Sequence, residues 1–537
     1  MPDPSAKPNV ILILVDDMGF SDLGIMGSEI QTPHLDALAR NGLLLSSMYN
    51  CSRCCPTRAS LLTGLYPHKA GVGHMTPHLG SQAYQGYLRE DAPTIAEVLG
   101  LSDYRTLMSG KWHVGGNYVA READRWIVGD ETHPTPRQRG FDRFFGIVDG
   151  AVNYFSPHYL MEDDERVEVT SESFYFTDAI TDKAVDMIES GEDRRPFFLY
   201  LAHTAPHWPL QAPEETIAKY EGVYLKGWDA IRAARYEEMH ARGILRHRWD
   251  LSPRDKAAPA WTDVKHASWE AIRMGVYAAQ IDRMDRSIGR LVQCLERLGK
   301  LDDTLIFFLS DNGGCAEFLA EDGFAQRYPE KTVDGRPIAL GNRTGLRPGS
   351  AQTFMSYDLP WANVSNAPFR LYKHWVHEGG ISTPLIVHWP NGIAKPEIVH
   401  EPAHVVDIMP TILEAAGAAY PSTHGEHETQ ELDGVSLLPL FETGTWTREQ
   451  PIYWEHEGNS AIRCGNMKLV RRHRRPWELY DMDVDRTELN DLAGANAPLE
   501  ERLQRDYLRW EEACGVEEWS TIEQRFLDAF GMESIHG

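Results

Sequence analysis

Four short segments rich in apolar and β-branched residues do most to limit what this chain can fold into. They cover residues 10–15, 105–108, 197–201 and 305–309. The first is continuously apolar and does not alternate with polar residues, which predicts a strand covered on both faces. Each segment is followed by polar, reactive side chains. Because open α/β sheets bind ligands beyond the carboxyl ends of their strands, we expect a functional site there.

Helices are predicted between these strands. Thr32 suits an N-cap, Pro33 the first helical position and Gly42 the stop, so a helix follows the first strand. Apolar residues at steps of three and four over 274–298 predict a long helix. A coiled coil is the alternative, but the segment ends at Gly299 and leads into a strand. The sequence therefore predicts an α/β fold with a large mixed, mainly parallel sheet sandwiched by helices.

A chain of 537 residues exceeds what one hydrophobic core usually supports. We expect a large domain over 1–440 and a smaller C-terminal α+β domain over 441–537, in which short strands form an antiparallel sheet before an amphipathic helix over 499–510. The charged segment 208–262 is interpreted as an insertion near the active-site face. A solvated helical excursion is the alternative interpretation.

Charge excludes one class of partner. The chain has 53 basic and 79 acidic residues, a formal charge of −26, whereas nucleic-acid binding needs a basic face. We interpret the acidity as favouring solubility, and any anion site must be made positive locally. No apolar run at the start is long enough to span a membrane and no signal peptide is evident, so a cytoplasmic location is expected. It would be periplasmic or secreted if a leader had been removed.

Three of the seven cysteines crowd together, at Cys51, Cys54 and Cys55. Cys51 and Cys54 have the spacing of a redox dithiol or of half a zinc site. A zinc site needs a second pair of ligands, and none is evident in the sequence. A thioredoxin-like pair would lie near the start of a small βαβ domain, which this chain is not.

Cys54, Pro56 and Arg58, followed by Thr63-Gly64, resemble the signature C-x-P-x-R…T-G of the type I sulfatases in the alkaline phosphatase superfamily. The resemblance extends over nearly the whole chain and is especially close to bacterial arylsulfatases. The resemblance implies an alkaline phosphatase-like fold and a sulfuric ester hydrolase. It also implies that a maturation enzyme oxidises Cys54 to formylglycine, whose hydrate is the nucleophile. Cys51 and Cys55 lack Pro at +2 and Arg at +4, and no catalytic role is assigned to them.

Sulfate-ester hydrolysis must neutralise the sulfate oxygens, activate a weak hydroxyl and protonate the leaving group. A hard divalent cation held by oxygens serves the first two needs. Asp16-Asp17 and Asp311-Asn312 supply such oxygens, although each pair alone could be a turn. The resemblance implies that these four residues hold the metal together with residue 54. We expect Ca²⁺, with Mg²⁺ possible.

The remaining site residues also follow from the resemblance. Lys111 would contact sulfate and His113 would lie beside residue 54. His207 would lie near the leaving group, Lys373 is the family's late lysine, and Arg58 would share the sulfate charge. The predicted partners are a small anionic sulfate ester and the maturation enzyme, without nucleic acid or membrane. The alternatives are a phosphonate monoester or phosphodiester hydrolase of the same superfamily, and a binding protein with an unmodified Cys54.

Overall fold

The computed structural model describes residues 7–169, 171, 173–191 and 195–530. The strands are β1 (Asn9–Asp16), β2 (Leu43–Tyr49), β3 (Arg105–Lys111), β4 (Arg143–Ile147), β5 (Leu160–Glu162), β6 (Glu165–Val167), β7 (Phe197–Pro206), β8 (Thr304–Ser310), β9 (Ala339–Leu340), β10 (Thr353–Phe354), β11 (Ser382–His388), β12 (Glu397–Val399), β13 (Ala403–His404), β14 (Thr423–His424), β15 (His427–Glu428), β16 (Ile452–His456), β17 (Asn459–Cys464), β18 (Met467–Arg471) and β19 (Glu478–Asp481). The α-helices are α1 (Pro33–Arg40), α2 (Cys54–Thr63), α3 (Ile95–Gly100), α4 (Phe176–Glu189), α5 (Glu214–Ile217), α6 (Trp228–Ala241), α7 (Ala267–Arg297), α8 (Asp358–Ser365), α9 (Glu378–Ile381), α10 (Ile408–Ala416), α11 (Leu438–Thr443), α12 (Ala497–Cys514) and α13 (Trp519–Phe530).

Eleven of these strands form one mixed sheet. Its order is β12-β2-β11-β8-β1-β7-β3-β4-β5-β6, and β13 also pairs with β2. The central strands β8, β1, β7, β3 and β4 are parallel to one another, whereas β11 and the edge strands β5 and β6 run antiparallel to their neighbours. The prediction of a large, mainly parallel sheet is confirmed.

Both faces of the sheet are covered by helices, as the apolar first strand predicted. Ile11 and Ile13 pack into the hydrophobic core on the side of α1, α4 and α7. Leu12 and Leu14 pack into the opposite core with α2, α3 and α10. These four side chains have at most 1% of their surface exposed, so each contributes about 1.5–3 kcal/mol through burial.

Two strands extend beyond the apolar segments that predicted them. β3 continues past Met108 to Lys111, and β7 continues past Leu201 to Pro206. Backbone pairing between Gly110 and Ala202 prolongs the ladder between them. Because this pairing does not depend on side-chain polarity, it carries Lys111 and the start of the His207 loop to the same end of the sheet.

The C-terminal strands form a separate antiparallel sheet in the order β16-β17-β18-β19, and Leu503 and Tyr507 of α12 cover one of its faces. The predicted α+β appendage is therefore present, while the domain bounds stay predictions. Within the segment 208–262, α6 is anchored where Arg235 donates to Asp22 at 2.7 Å. Among the described residues, no helix combines the length and apolarity needed to cross a bilayer.

Candidate active site

Cys54 is the first residue of α2, and its side chain is buried. The helix N-terminus directs unpaired backbone N–H groups toward this position, which favours a negative charge. A hydrogen bond from Cys55, helped by the charges of Lys111 and His113, lowers the pKa of the Cys54 thiol well below its ordinary value. Cys54 therefore occupies a locally positive position within an acidic protein.

The carboxylates predicted to bind a metal come together because β1 and β8 are neighbouring parallel strands. The backbone N–H of Asp17 donates to Oδ1 of Asp311 at 3.2 Å. Nδ2 of Asn312 donates to Oδ1 of Asp17 at 2.7 Å. Asp17 has a φ of 65°, a strained conformation for a residue with a side chain, and such strain occurs at functional sites. Asp16, Asp17, Asp311 and Asn312 therefore form one buried cluster.

Three basic side chains face these carboxylates. Lys111 Nζ lies 2.6 Å from Asp16 Oδ2, and Arg58 Nη2 lies 2.7 Å from Asp311 Oδ2. Burial alone would raise the pKa of Asp16, but the charges of Lys111, His207 and Arg58 hold it below its ordinary value. The basic groups therefore keep Asp16 ionised in the protein interior.

Lys373 supplies the third cation, with Nζ 3.0 Å from Asp17 Oδ2. Its loop approaches closely because Gly313 lies against Gly379, where a Cβ would be 1.9 Å from the Gly379 carbonyl oxygen. A glycine is therefore required beside Asn312 for Lys373 to reach the carboxylates.

The oxygen donors of this cluster suit a hard divalent cation. Oδ1 of Asp16 and Oδ1 of Asn312 are buried and have no hydrogen-bond partner among the residues that the structure describes. Leaving such atoms unsatisfied costs about 1–3 kcal/mol each. Burial and the neighbouring Asp16 raise the pKa of Asp311 well above its ordinary value, so ionising both carboxylates together is unfavourable in the protein interior. Carboxylate and amide oxygens are the ligands that Ca²⁺ and Mg²⁺ prefer.

The two predicted histidines lie at different places around the cluster. His113 places a ring nitrogen within 4.8 Å of the Cys54 and Cys55 sulfur atoms, and burial together with Lys111 lowers the pKa of His113. His207 has Nδ1 2.7 Å from the Trp208 carbonyl oxygen, to which it donates. Its Nε2 is therefore directed toward Lys373, 3.3 Å away.

Depth divides the site into two layers. Asp16, Arg58 and Lys111 have 0% of their surface exposed, whereas His113 and His207 retain 7% and 5%. Lys373 is exposed to a similar extent, at 6%. A ligand would therefore meet the histidines and Lys373 first, with the carboxylate and cation cluster beneath it.

Two contacts beside the nucleophile were not predicted from the sequence. Arg53 pairs with Glu317 at 3.2 Å, and the Trp208 indole N–H donates to the same carboxylate at 2.9 Å. Burial would raise the pKa of Glu317, but the charges of Lys373 and Arg53 lower it to about 2. No spacing in the sequence links residue 317 to residue 53, so only the fold reveals this ionised carboxylate near the opening.

The chain is similar to known proteins in its family models, in its sequence and in its structure. A family model described as Sulfatase matches residues 8–418, and one described as N-sulphoglucosamine sulphohydrolase, C-terminal, matches residues 369–509. The chain is 33% identical to an uncharacterized sulfatase of Schizosaccharomyces pombe over 95% of each chain. It is 34% identical to an arylsulfatase of Klebsiella aerogenes over 81% of this chain and 92% of that protein. The crystal structure of Ps i-CgsB in complex with k-i-k-neocarrahexaose superposes with a TM-score of 0.67 at 25% identity, covering 96% of this chain and 99% of that one.

Proposed function

The chain belongs to the sulfatase family and is a sulfuric ester hydrolase, and from this premise we propose that residue 54, oxidised from cysteine to formylglycine, is its nucleophile. The observation that carries the proposal is the position of Cys54, at a helix N-terminus beside Lys111 and His113. The hydrate of formylglycine supplies a hydroxyl group at this position. The protein's other site residues then have to bind sulfate and move protons.

Charge binding is the task of the buried layer. Asp16, Asp17, Asp311 and Asn312 would hold the divalent cation, Ca²⁺ or Mg²⁺, with residue 54 as a further ligand. The bound cation supplies positive charge for the sulfate oxygens and lowers the pKa of a coordinated hydroxyl group. Arg58, Lys111 and Lys373 share the rest of the sulfate charge, which a chain with a formal charge of −26 must neutralise locally.

Proton transfer is the task of the upper layer. His207 donates its Nδ1–H to a carbonyl oxygen, so its imidazolium form has a second proton on Nε2, and this proton passes to the departing alcohol or phenol. Lys373, 3.3 Å from that nitrogen, assists it. His113, beside residue 54, accepts the proton from the remaining hydroxyl group so that sulfate leaves and the aldehyde returns.

The surroundings of His207 favour an aromatic leaving group. The ring of Trp208 lies 4.3 Å from that of His207, and Phe324 and Tyr328 pack against Trp208 with ring centroids 6.0 and 5.4 Å away. Phe324 is 41% exposed, so an apolar surface adjoins the place where the leaving group would be protonated. We therefore propose that aryl sulfates are better substrates than alkyl sulfates.

A paired substrate and mutant assay tests the proposal. The wild-type protein, Cys54→Ala and the distant control Cys464→Ala are compared on phenyl sulfate and on phenyl phosphonate. We expect Cys54→Ala to lose about 10⁴- to 10⁶-fold in kcat and Cys464→Ala to retain wild-type turnover. Turnover by a folded Cys54→Ala variant would contradict the nucleophile assignment. A phosphonate rate orders of magnitude above the sulfate rate would favour the phosphonate hydrolase instead.

A further inference from the structure

A second buried cluster of ligand-type side chains lies outside the active site, where the main sheet meets the C-terminal sheet. It contains His74 from the segment after α2, His374 from the Lys373 loop, His456 at the end of β16, and Glu457 from the turn between β16 and β17. Glu457 has a φ of 52°, which holds its carboxylate in the cluster at the cost of backbone strain. Three imidazole rings therefore surround one carboxylate.

Some ring nitrogens of His74 and His456 lack hydrogen-bond partners among the described residues. Within the described part of the chain, neither ring nitrogen of His456 has a hydrogen bond, although the side chain is fully buried, and Nδ1 of His74 also has none. In either neutral tautomer the His456 imidazole therefore has a nitrogen lone pair that accepts no hydrogen bond from a described residue. Such a ring costs free energy unless a ligand occupies the lone pair.

The distances within the cluster match those of a metal site. Nε2 of His74 lies 3.0 Å and Nε2 of His456 lies 3.5 Å from the same oxygen, Oε1 of Glu457. Ligand atoms 2.0–2.1 Å from a tetrahedral zinc ion lie about 3.3 Å apart. His374 forms an ion pair with the other oxygen of Glu457, as the partner that orients a metal-binding carboxylate does.

We propose that His74, His456 and Glu457 form a binding site for Zn²⁺ or a similar transition-metal ion, and that His374 orients the carboxylate. Two imidazoles and one carboxylate favour a borderline ion, whereas the all-oxygen donors beside Asp16 favour Ca²⁺ or Mg²⁺. An ion-pair network alone explains His74 and His374, each of which contacts one oxygen of Glu457. His456 adds only a longer approach, 3.5 Å from Nε2 to Oε1 of Glu457, which leaves both of its ring nitrogens without a hydrogen bond among the described residues.

The surroundings give this site a structural role. Trp519 and Phe526 of α13 pack against His74, with ring centroids 5.2 and 4.8 Å away, so the site is closed. His374 directly follows Lys373, and its backbone N–H donates to the Ser52 carbonyl oxygen at 2.8 Å. A metal ion here would hold the loop that carries Lys373, and through it the segment at Ser52 that precedes residue 54, against the C-terminal sheet.

Metal analysis of the full-length protein tests the proposal. The protein is stripped with a chelator, incubated with Zn²⁺ in the presence of excess Ca²⁺, and desalted. Zinc is then quantified by mass spectrometry and its ligands are identified by X-ray absorption. We expect about one Zn²⁺ per chain with imidazole and carboxylate ligands. Wild-type protein without bound zinc, or with zinc bound by sulfur, would overturn the proposal without any variant having to fold.

Variants locate the ion. His74→Gln and His456→Gln should each lose the zinc, and His374→Gln should bind it about 10- to 100-fold more weakly. His68→Gln is the matched control, because His68 is also buried and paired with a carboxylate, Glu455, at 2.9 Å. Competition with a chromophoric chelator measures each affinity. Equal zinc affinity in the wild-type protein and His456→Gln would place the ion elsewhere.

Discussion

Replacing Lys111 with Met tests whether a cation binds on Asp16. The two side chains are fully buried and their charged atoms lie 2.6 Å apart. The next cation is Arg58, whose Nη2 lies 3.6 Å from Asp16 Oδ2 and already pairs with Asp311 Oδ2 at 2.7 Å. Breaking a buried pair by removing one partner costs about 3–5 kcal/mol, and the remaining Arg58 places the expected loss near the lower end. In metal-free protein, Lys111→Met should therefore lose about 3 kcal/mol of unfolding free energy.

Calcium should reduce this loss, because a divalent cation on Asp16 supplies the charge that the lysine supplied. Urea unfolding of both proteins, with chelator and with saturating Ca²⁺, measures the two differences. Lys183→Met is the control, since Lys183 pairs with Glu162 at the surface and should cost about 0–1 kcal/mol in both conditions. A Lys111→Met loss that is identical with and without Ca²⁺ would refute the reasoning, because the cation would then not neutralise Asp16.

Three further predictions concern proton transfer, pH and the metal. His207→Gln should lower kcat about 10²- to 10⁴-fold on phenyl sulfate and less on the more acidic leaving group of 4-nitrophenyl sulfate; equal losses on both would exclude a proton donor. Burial lowers the pKa of His203 to about 3. Below about pH 6.5 this histidine is therefore protonated in the unfolded chain but stays neutral in the folded chain, so the free energy of unfolding decreases as pH falls. Urea midpoints should show wild-type protein losing about 2 kcal/mol more than His203→Gln between pH 7 and pH 5. Chelation should abolish sulfate hydrolysis and Ca²⁺ or Mg²⁺ should restore it; full activity in protein shown to be metal-free would contradict the proposed oxygen site.

The central strands could be predicted because a strand that is buried on both faces consists of apolar residues without polar alternation. The segment 10–15 has no polar residue, and the structure buries alternate residues of it in two different cores. The polar residues that follow each strand met at one edge because parallel neighbours end together. The ends of the strands were predicted less accurately. β3 continues to Lys111 through backbone pairing, which cannot be read from the polarity of the side chains.

Contacts between distant loops could not be predicted. Glu317 lies beside Arg53 because of how two loops fold over the sheet, and no periodicity records this. The histidine cluster was missed for the same reason, because His74, His374 and His456 lie in three segments that are far apart in the sequence. A motif can be recognised when its residues are close in sequence, as in the segment from Cys54 to Arg58.

The dependence of turnover on the chemical state of residue 54 tests the central claim most directly. Preparations that differ in the extent of maturation would be analysed by mass spectrometry for the fraction of chains with an aldehyde at this position, and kcat on phenyl sulfate would be measured on each. We predict that kcat rises in proportion to that fraction and extrapolates to zero. Turnover by protein in which residue 54 is entirely cysteine would contradict the account.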